Sequence, residues 1–119
     1  MSQDFVFPVL EIVQGTTYDF SLVFFKDEAM LIPQPLDGCE FVVSILDKRG
    51  GRVYLTLRTS DASLTFVSPN RVEAVLTPAK TSLFSWSIGM FGCTALFPDG
   101  SVRELLAGDV RVSKPLAVF

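Results

Sequence analysis

The sequence predicts an all-β protein whose strands form two sheets packed face to face. Three observations carry that expectation. Apolar and polar residues alternate over short runs, as in strands with one buried face. The runs are separated by Gly-, Pro- and Asp-containing turns about every 8 to 15 residues. Only one short stretch has a helix start signal and room for a helical turn. The 119 residues fit a single domain spanning 1–119. A chain of that length buries about two-thirds of its unfolded surface on folding, enough for a core without metal or disulfide staples.

Taken in order, Phe5 to Val13 reads as a first strand, which Pro8 confines to a sheet edge or a break. Tyr18 to Phe24 alternates strictly, with Tyr18, Phe20, Leu22 and Phe24 on one face. Pro33 and Pro35 mark a crossing loop, and Cys39 to Ile45 alternates again. Gly50 and Gly51 supply the positive φ of a tight hairpin. After them, Arg52 to Arg58 places Val53, Leu55 and Leu57 inward and Arg52, Thr56 and Arg58 outward. Leu64–Phe66 and Val72–Leu76 are short strands joined through Ser68-Pro69-Asn70. Thr77 before Pro78 is an N-cap with proline at the first helical position, so one helical turn is predicted near 78–83. Phe84 to Phe97 reads as one strand, bulged or bent near Gly89 and Gly92. Pro98-Asp99-Gly100 turns the chain into Val102–Leu106 and Val110–Val112, with Gly108 as the expected bulge between them. The sum is an immunoglobulin-like β-sandwich of about seven to eight antiparallel strands.

Composition excludes more functions than it names. Apolar residues make up 49% of the chain and charged residues 19%, which is a folding composition. The net charge of −3 and a pI near 4.8 argue against a nucleic-acid partner. The densest basic stretch, Lys48, Arg49 and Arg52, surrounds a hairpin turn and reads as a solvated tip. Thr81 to Pro98 is uncharged over about the length of a spanning helix, but its serines, threonines, glycines and two-residue period fit a strand, so no membrane span is expected. Met1 to Asp4 lacks the basic start of a signal peptide. Cys39 and Cys93 belong to no CxxC pair. The single Trp86 lies between them but just before the second cysteine, not shortly after the first, so an antibody-type disulfide is not expected and two reduced thiols are.

Without histidine, Ser-His-Asp and Cys-His catalysis is impossible. The carboxylates fall at turns or on polar faces, and no calcium-loop pattern occurs. The chain is therefore expected to be no enzyme and to carry no catalytic, cofactor or metal site. Phe occurs 11 times against two Tyr and one Trp, which disfavours a glycan platform. The surplus of Phe points instead to protein contacts. Phe24 and Phe25 cannot both point inward on one strand, and Phe91 and Phe97 oppose Trp86 and Ile88 in parity. Phe5, Phe7 and Phe119 lie in the terminal segments. Phe5, Phe7, Phe25, Phe91, Phe97 and Phe119 are thus the candidate interface residues. The segments 1–13 and 114–119 are candidate arms that would pair with neighbouring chains by strand addition.

The order of motifs resembles small virion proteins of tailed bacteriophages, similar to the N-terminal domain of baseplate upper proteins and fibre-attachment modules. The resemblance runs from about Ile12 to Val112, through Gln14-Gly15-Thr16-Thr17, Pro35-Leu36-Asp37-Gly38 and Leu76-Thr77-Pro78-Ala79. It continues through Phe84-Ser85-Trp86-Ser87-Ile88, Pro98-Asp99-Gly100 and Leu106-Ala107-Gly108-Asp109. Thr16 and Ser87 depart from it, standing where such proteins often carry an acid. The resemblance implies a structural protein of the tail, collar, baseplate or fibre-attachment region, made in the host cytoplasm and found in the virion. Its partners would be other virion proteins and copies of itself. A capsid decoration protein is the alternative, and a carbohydrate-binding module for host adsorption is disfavoured.

Overall fold

A computed structural model of the chain describes residues 9–25 and 35–117. Its elements are β1 (Val9–Val13), β2 (Tyr18–Val23), β3 (Glu40–Leu46), β4 (Val53–Arg58), β5 (Thr65–Val67) and β6 (Arg71–Leu76). The helical turn α1 (Pro78–Thr81), β7 (Ile88–Leu96) and β8 (Val102–Ser113) complete the chain. The strands form a five-stranded sheet in the order β1-β8-β7-β3-β4 and a three-stranded sheet in the order β2-β6-β5. That arrangement is the immunoglobulin one: β2, β6 and β5 stand as strands B, E and D, and β8, β7, β3 and β4 as G, F, C and the C′ addition of variable-type domains.

The core is what strict alternation dictates. Phe41, Val43 and Ile45 on β3 and Phe91, Cys93 and Ala95 on β7 point into the sandwich. They meet Leu22 from β2 and Val72, Ala74 and Leu76 from β6. Phe41 stacks between Phe24, at 6.5 Å, and Phe66, at 5.4 Å, and so ties the two sheets together. Trp86 closes one end of the sandwich against Phe84 and Tyr54, with ring centroids 5.3 and 5.6 Å away.

Polar contacts fix the ends. Thr77 caps α1, its hydroxyl oxygen accepting from the Lys80 amide, as the sequence predicts. The buried Thr81 hydroxyl donates to Thr16 O at 2.8 Å, and Gln14 Nε2 donates to Phe84 O at 3.1 Å. These bonds pin α1 to the β1–β2 turn. Asn70, also buried, donates its side-chain amide to Phe24 O at 2.6 Å. Gly50 and Gly100 take the positive φ expected of them, 76° and 90°.

Four expectations need correction. β8 is one continuous strand, and Gly108 pairs with Phe91 in regular register. The bulge lies between Cys93 and Thr94, where β8 skips Leu105. A second irregularity at Ile45/Leu46 inserts Tyr54 into β4, so Val53 turns outward and is exposed while Leu55 and Leu57 stay inward. The stretch 84–87 precedes β7 and is not strand. Finally, β1 pairs in parallel with β8 of its own sheet, and Gln14 N–H extends the pairing to Ser113 O at 2.8 Å. Residues 9–13 therefore belong to the parent sandwich and are no free arm. Residues 1–8 and 118–119 lie outside the described residues, and Leu116 is fully exposed.

The two glycines of β7 are opposite cases. A Cβ on inward-facing Gly89 would sit 2.5 Å from both Leu46 O and the Trp86 ring. One on outward-facing Gly92 would meet nothing nearer than 3.9 Å. Gly89→Ala is expected to cost about 1–3 kcal/mol of stability by overpacking, and Gly92→Ala to change it by less than about 1 kcal/mol. Urea unfolding of the two variants checks this, and equal losses would contradict the assigned faces.

Candidate functional site

Because residues paired across strands share a face, the register defines the outer surface of the five-stranded sheet in rows. One row runs Glu104–Thr94–Val42–Arg58 across β8, β7, β3 and β4. The next runs Ala107–Gly92–Ser44–Thr56, and the third Asp109–Met90–Leu46–Val53. Ile88 and Leu96 end the central strand, beside Arg111 and Val102. The outward residues of β7 thus carry no charge, and neither do Val42, Ser44 and Leu46 of β3. Large apolar groups stand at the periphery, with Ile88 69% and Val102 65% exposed.

The middle of this surface is a shallow depression of about 220 Å³ over Gly92, Ser44 and Ala107. The β3–β4 hairpin overhangs one side of it. Arg49 reaches across to Glu104 at 3.5 Å, both side chains being largely exposed, so the pair is weak. The outer face of the three-stranded sheet is different. Exposed valines are present there too, but Asp19, Arg71 and Glu73 interleave with them, and Arg71 pairs with Glu73 at 3.3 Å.

The sequence-predicted interface residues distribute unevenly. Phe91 is 1% exposed, in the core opposite Ile45, so it offers nothing to a partner. Its parity with Cys93 and Ala95 decides this, because the register of β3 puts that set inside. Phe25 is half-buried just after β2. Phe97 is half-buried against the core, with the Arg103 guanidinium 5.9 Å from its ring centre. Phe5, Phe7 and Phe119 lie outside the described residues. The structure brings none of the described three together. The surface that sequence reasoning missed belongs to the other parity of β7. Its signal was present in the uncharged stretch Thr81 to Pro98, whose strand part, Ile88–Leu96, turns alternate residues outward.

No catalytic constellation is assembled on this surface. Among the described residues, no cluster of three or more His, Cys, Asp or Glu side chains could hold a metal ion, and no helix is long and apolar enough to cross a membrane. Asp61 and Asp99 are turn residues. Each accepts hydrogen bonds from the serine two positions on, Ser63 and Ser101, and these hold both carboxyls below the usual range. Tyr54 and Trp86 pack edge-on against each other, with the Arg52 guanidinium 4.9 Å from the Tyr54 ring centre, so neither is a free platform for a sugar.

No family model matches the chain, and no curated protein matches it. Among solved structures the chain is similar to a ZIG-8–RIG-5 IG1–IG1 heterodimer, at 13% identity and a TM-score of 0.49, over 90% of this chain and 82% of that one. It is similar to the fibronectin(III)-like modules of Clostridium thermocellum CbhA, at 16% identity and a TM-score of 0.45, over 97% and 96%. A VGSC β subunit studied for multimeric cell-adhesive interactions gives 10% identity and a TM-score of 0.47, over 91% of each chain. Such values carry no functional argument, and the sandwich assignment rests on the two sheets themselves.

Both cysteines are free thiols. Burial pushes Cys93 up from 9.0 to about 12; burial, then the nearby Asp99 and Asp37, raise Cys39. A thiol whose pKa is raised in the folded state stabilises the fold fully below its unfolded pKa, and that contribution is lost as pH rises toward the folded value. For Cys93 the window opens near pH 9. Stability is expected to fall by about 1 kcal/mol between pH 9 and pH 10, and Cys93→Val to lose most of that fall. Denaturant titrations at the two pH values check this; an unchanged slope in the variant would show that Cys93 is not the responsible group.

Proposed function

We propose that the chain is a non-enzymatic module that joins other protein chains through the outer face of its five-stranded sheet. In this reading it does so as a structural protein of a tailed-bacteriophage virion, in the tail, collar, baseplate or fibre-attachment region. The observation that supports the contact surface is the uncharged outward set on β7, the central strand. A solvated sheet face gains solubility from charge at such positions, as β6 does with Arg71 and Glu73. Ile88 and Val102, each about two-thirds exposed, would gain about 1–2 kcal/mol each if fully buried by a partner. The virion setting rests on the order of motifs from Gln14 to Val112.

The test is incorporation into particles. Wild-type chain is expected in purified particles at a fixed copy number, measured by quantitative mass spectrometry. Gly92→Arg, whose Cβ would meet nothing nearer than 3.9 Å and whose side chain would occupy the depression, is expected to be lost from particles by tenfold or more while the melting temperature barely moves. Absence of the wild-type chain from particles would overturn the virion setting. Normal incorporation of a folded Gly92→Arg chain would overturn the choice of surface.

A further inference from the structure

We infer that the occupant of this face is a second copy of the chain, related by a twofold axis that runs along the strands between β7 and β3. The inference rests on the reading of that face as a contact surface and adds the partner and the symmetry. Its basis is the distribution of charge around the uncharged centre. The β4 side is basic on balance, with Arg58 on the strand and Lys48 and Arg52 beside Asp47 at the hairpin; Arg49 of that hairpin reaches over to Glu104, and Glu40 is the one charge among the outward residues of β3. The β8 side presents Glu104 and Asp109, and Arg111 there stands opposite Glu11 of β1.

A face-to-face dimer with twofold symmetry must place this surface on itself. An axis across the strands lays β4 on β4 and β8 on β8, so like charges meet. An axis along the strands, between β7 and β3, lays β4 over the partner's β8 and β3 over the partner's β7. It also keeps each row at its own height. Glu104 and Arg58 lie in the same row with two strands between them, on either side of Thr94 and Val42. Glu104 therefore comes over the partner's Arg58, and the symmetry makes that pair twice. Each of the two lies about 7 Å from the axis, so a crossing of about 30° between the sheets displaces them by about 4 Å, within reach of both long side chains. Gly92 comes over the partner's Ser44, a pair of small residues, and the β3–β4 hairpin, whose Arg49 and Gly50 overhang the depression, has to shift outward for the sheets to meet. To form the pair, Glu104 exchanges its exposed contact with Arg49 for the partner's Arg58, and an exposed ion pair is easily exchanged.

The area fits a moderate association. The axis superposes four strands, β8, β7, β3 and β4; at about 4.8 Å spacing, with about seven residues at about 3.4 Å rise, they give a face on the order of 450 Å² in plan. A standard interface takes about 800 Å² from each partner.

Sedimentation velocity of the full chain from about 1 µM to about 1 mM, at low and high salt, tests the inference. The wild type is expected to pass from monomer to dimer with concentration, and less readily at high salt. Gly92→Arg is expected to stay monomeric with an unchanged melting temperature. Arg58→Glu and Glu104→Arg are each expected to weaken the dimer about tenfold or more, and the double reversal to regain most of the loss. A wild type that stays monomeric throughout overturns the second copy as occupant, and so does a double reversal no better than either single change. If that wild type is monomeric but particles still exclude Gly92→Arg, the contact face stands and its occupant is another protein. If the dimer behaves as expected but particles accept Gly92→Arg, the dimer stands and the assembly role of the face fails.

Discussion

Burial of one side of β3 and β7 is the constraint on which the rest of the molecule depends. Phe41, Val43 and Ile45 on one strand and Phe91, Cys93 and Ala95 on the other are almost wholly shielded by the opposite sheet. Side chains on a strand alternate, so a slip of one residue would expose the whole set and bury its complement. These six residues therefore fix the register of both strands. Folding then places little demand on the alternate positions, which face away from the core. On β6 those positions hold Arg71, Glu73 and Val75, two of the three charged. On β7 they hold Ile88, Met90, Gly92, Thr94 and Leu96. The contrast arises within one molecule, between strands in comparable positions, and the proposed contact surface rests on it.

Such a surface supports a particular kind of association. Its centre is made of small groups, Gly92, Ser44, Thr56 and Ala107, and its large apolar side chains stand at the periphery. Close approach of two sheets is then possible, but no deep pocket offers an anchor of the kind that dominates tight interfaces. Charge at the rim selects partner and orientation more than it adds affinity. A contact of this kind is moderate alone and strong in a multivalent assembly, where linked contacts raise the effective concentration of each.

Much of the fold was legible in the residues. The alternation of Tyr18–Phe24, Cys39–Ile45 and Val72–Leu76 identified strands and their buried faces, and Thr77-Pro78 located the one helical turn. What was not legible depended on neighbours. The outward turn of Val53 follows from a bulge that only the pairing of β3 with β4 reveals, and β8 continues through Gly108 because Phe91 lies opposite. The parallel pairing of β1 with β8 joins segments almost a full chain apart, which no local pattern encodes. The candidate site was misread for the same reason. Phe91 and Phe97 oppose Ile88 in parity, but parity alone does not say which set is inside. Large aromatics drew attention as contact residues, whereas the structure uses Phe91 as core and leaves the small and aliphatic residues of β7 outside.

The central claim is that the outward residues of β7 and the outward Val42, Ser44 and Leu46 of β3 meet a second copy of the chain. Nuclear magnetic resonance spectra of the labelled protein, recorded over a concentration series, test it residue by residue. The account predicts concentration-dependent shifts at Val42, Ser44, Gly92 and Thr94, with Val23 and Val75 on the opposite sheet unchanged. Shifts confined to the opposite sheet, or none at any concentration, would contradict it.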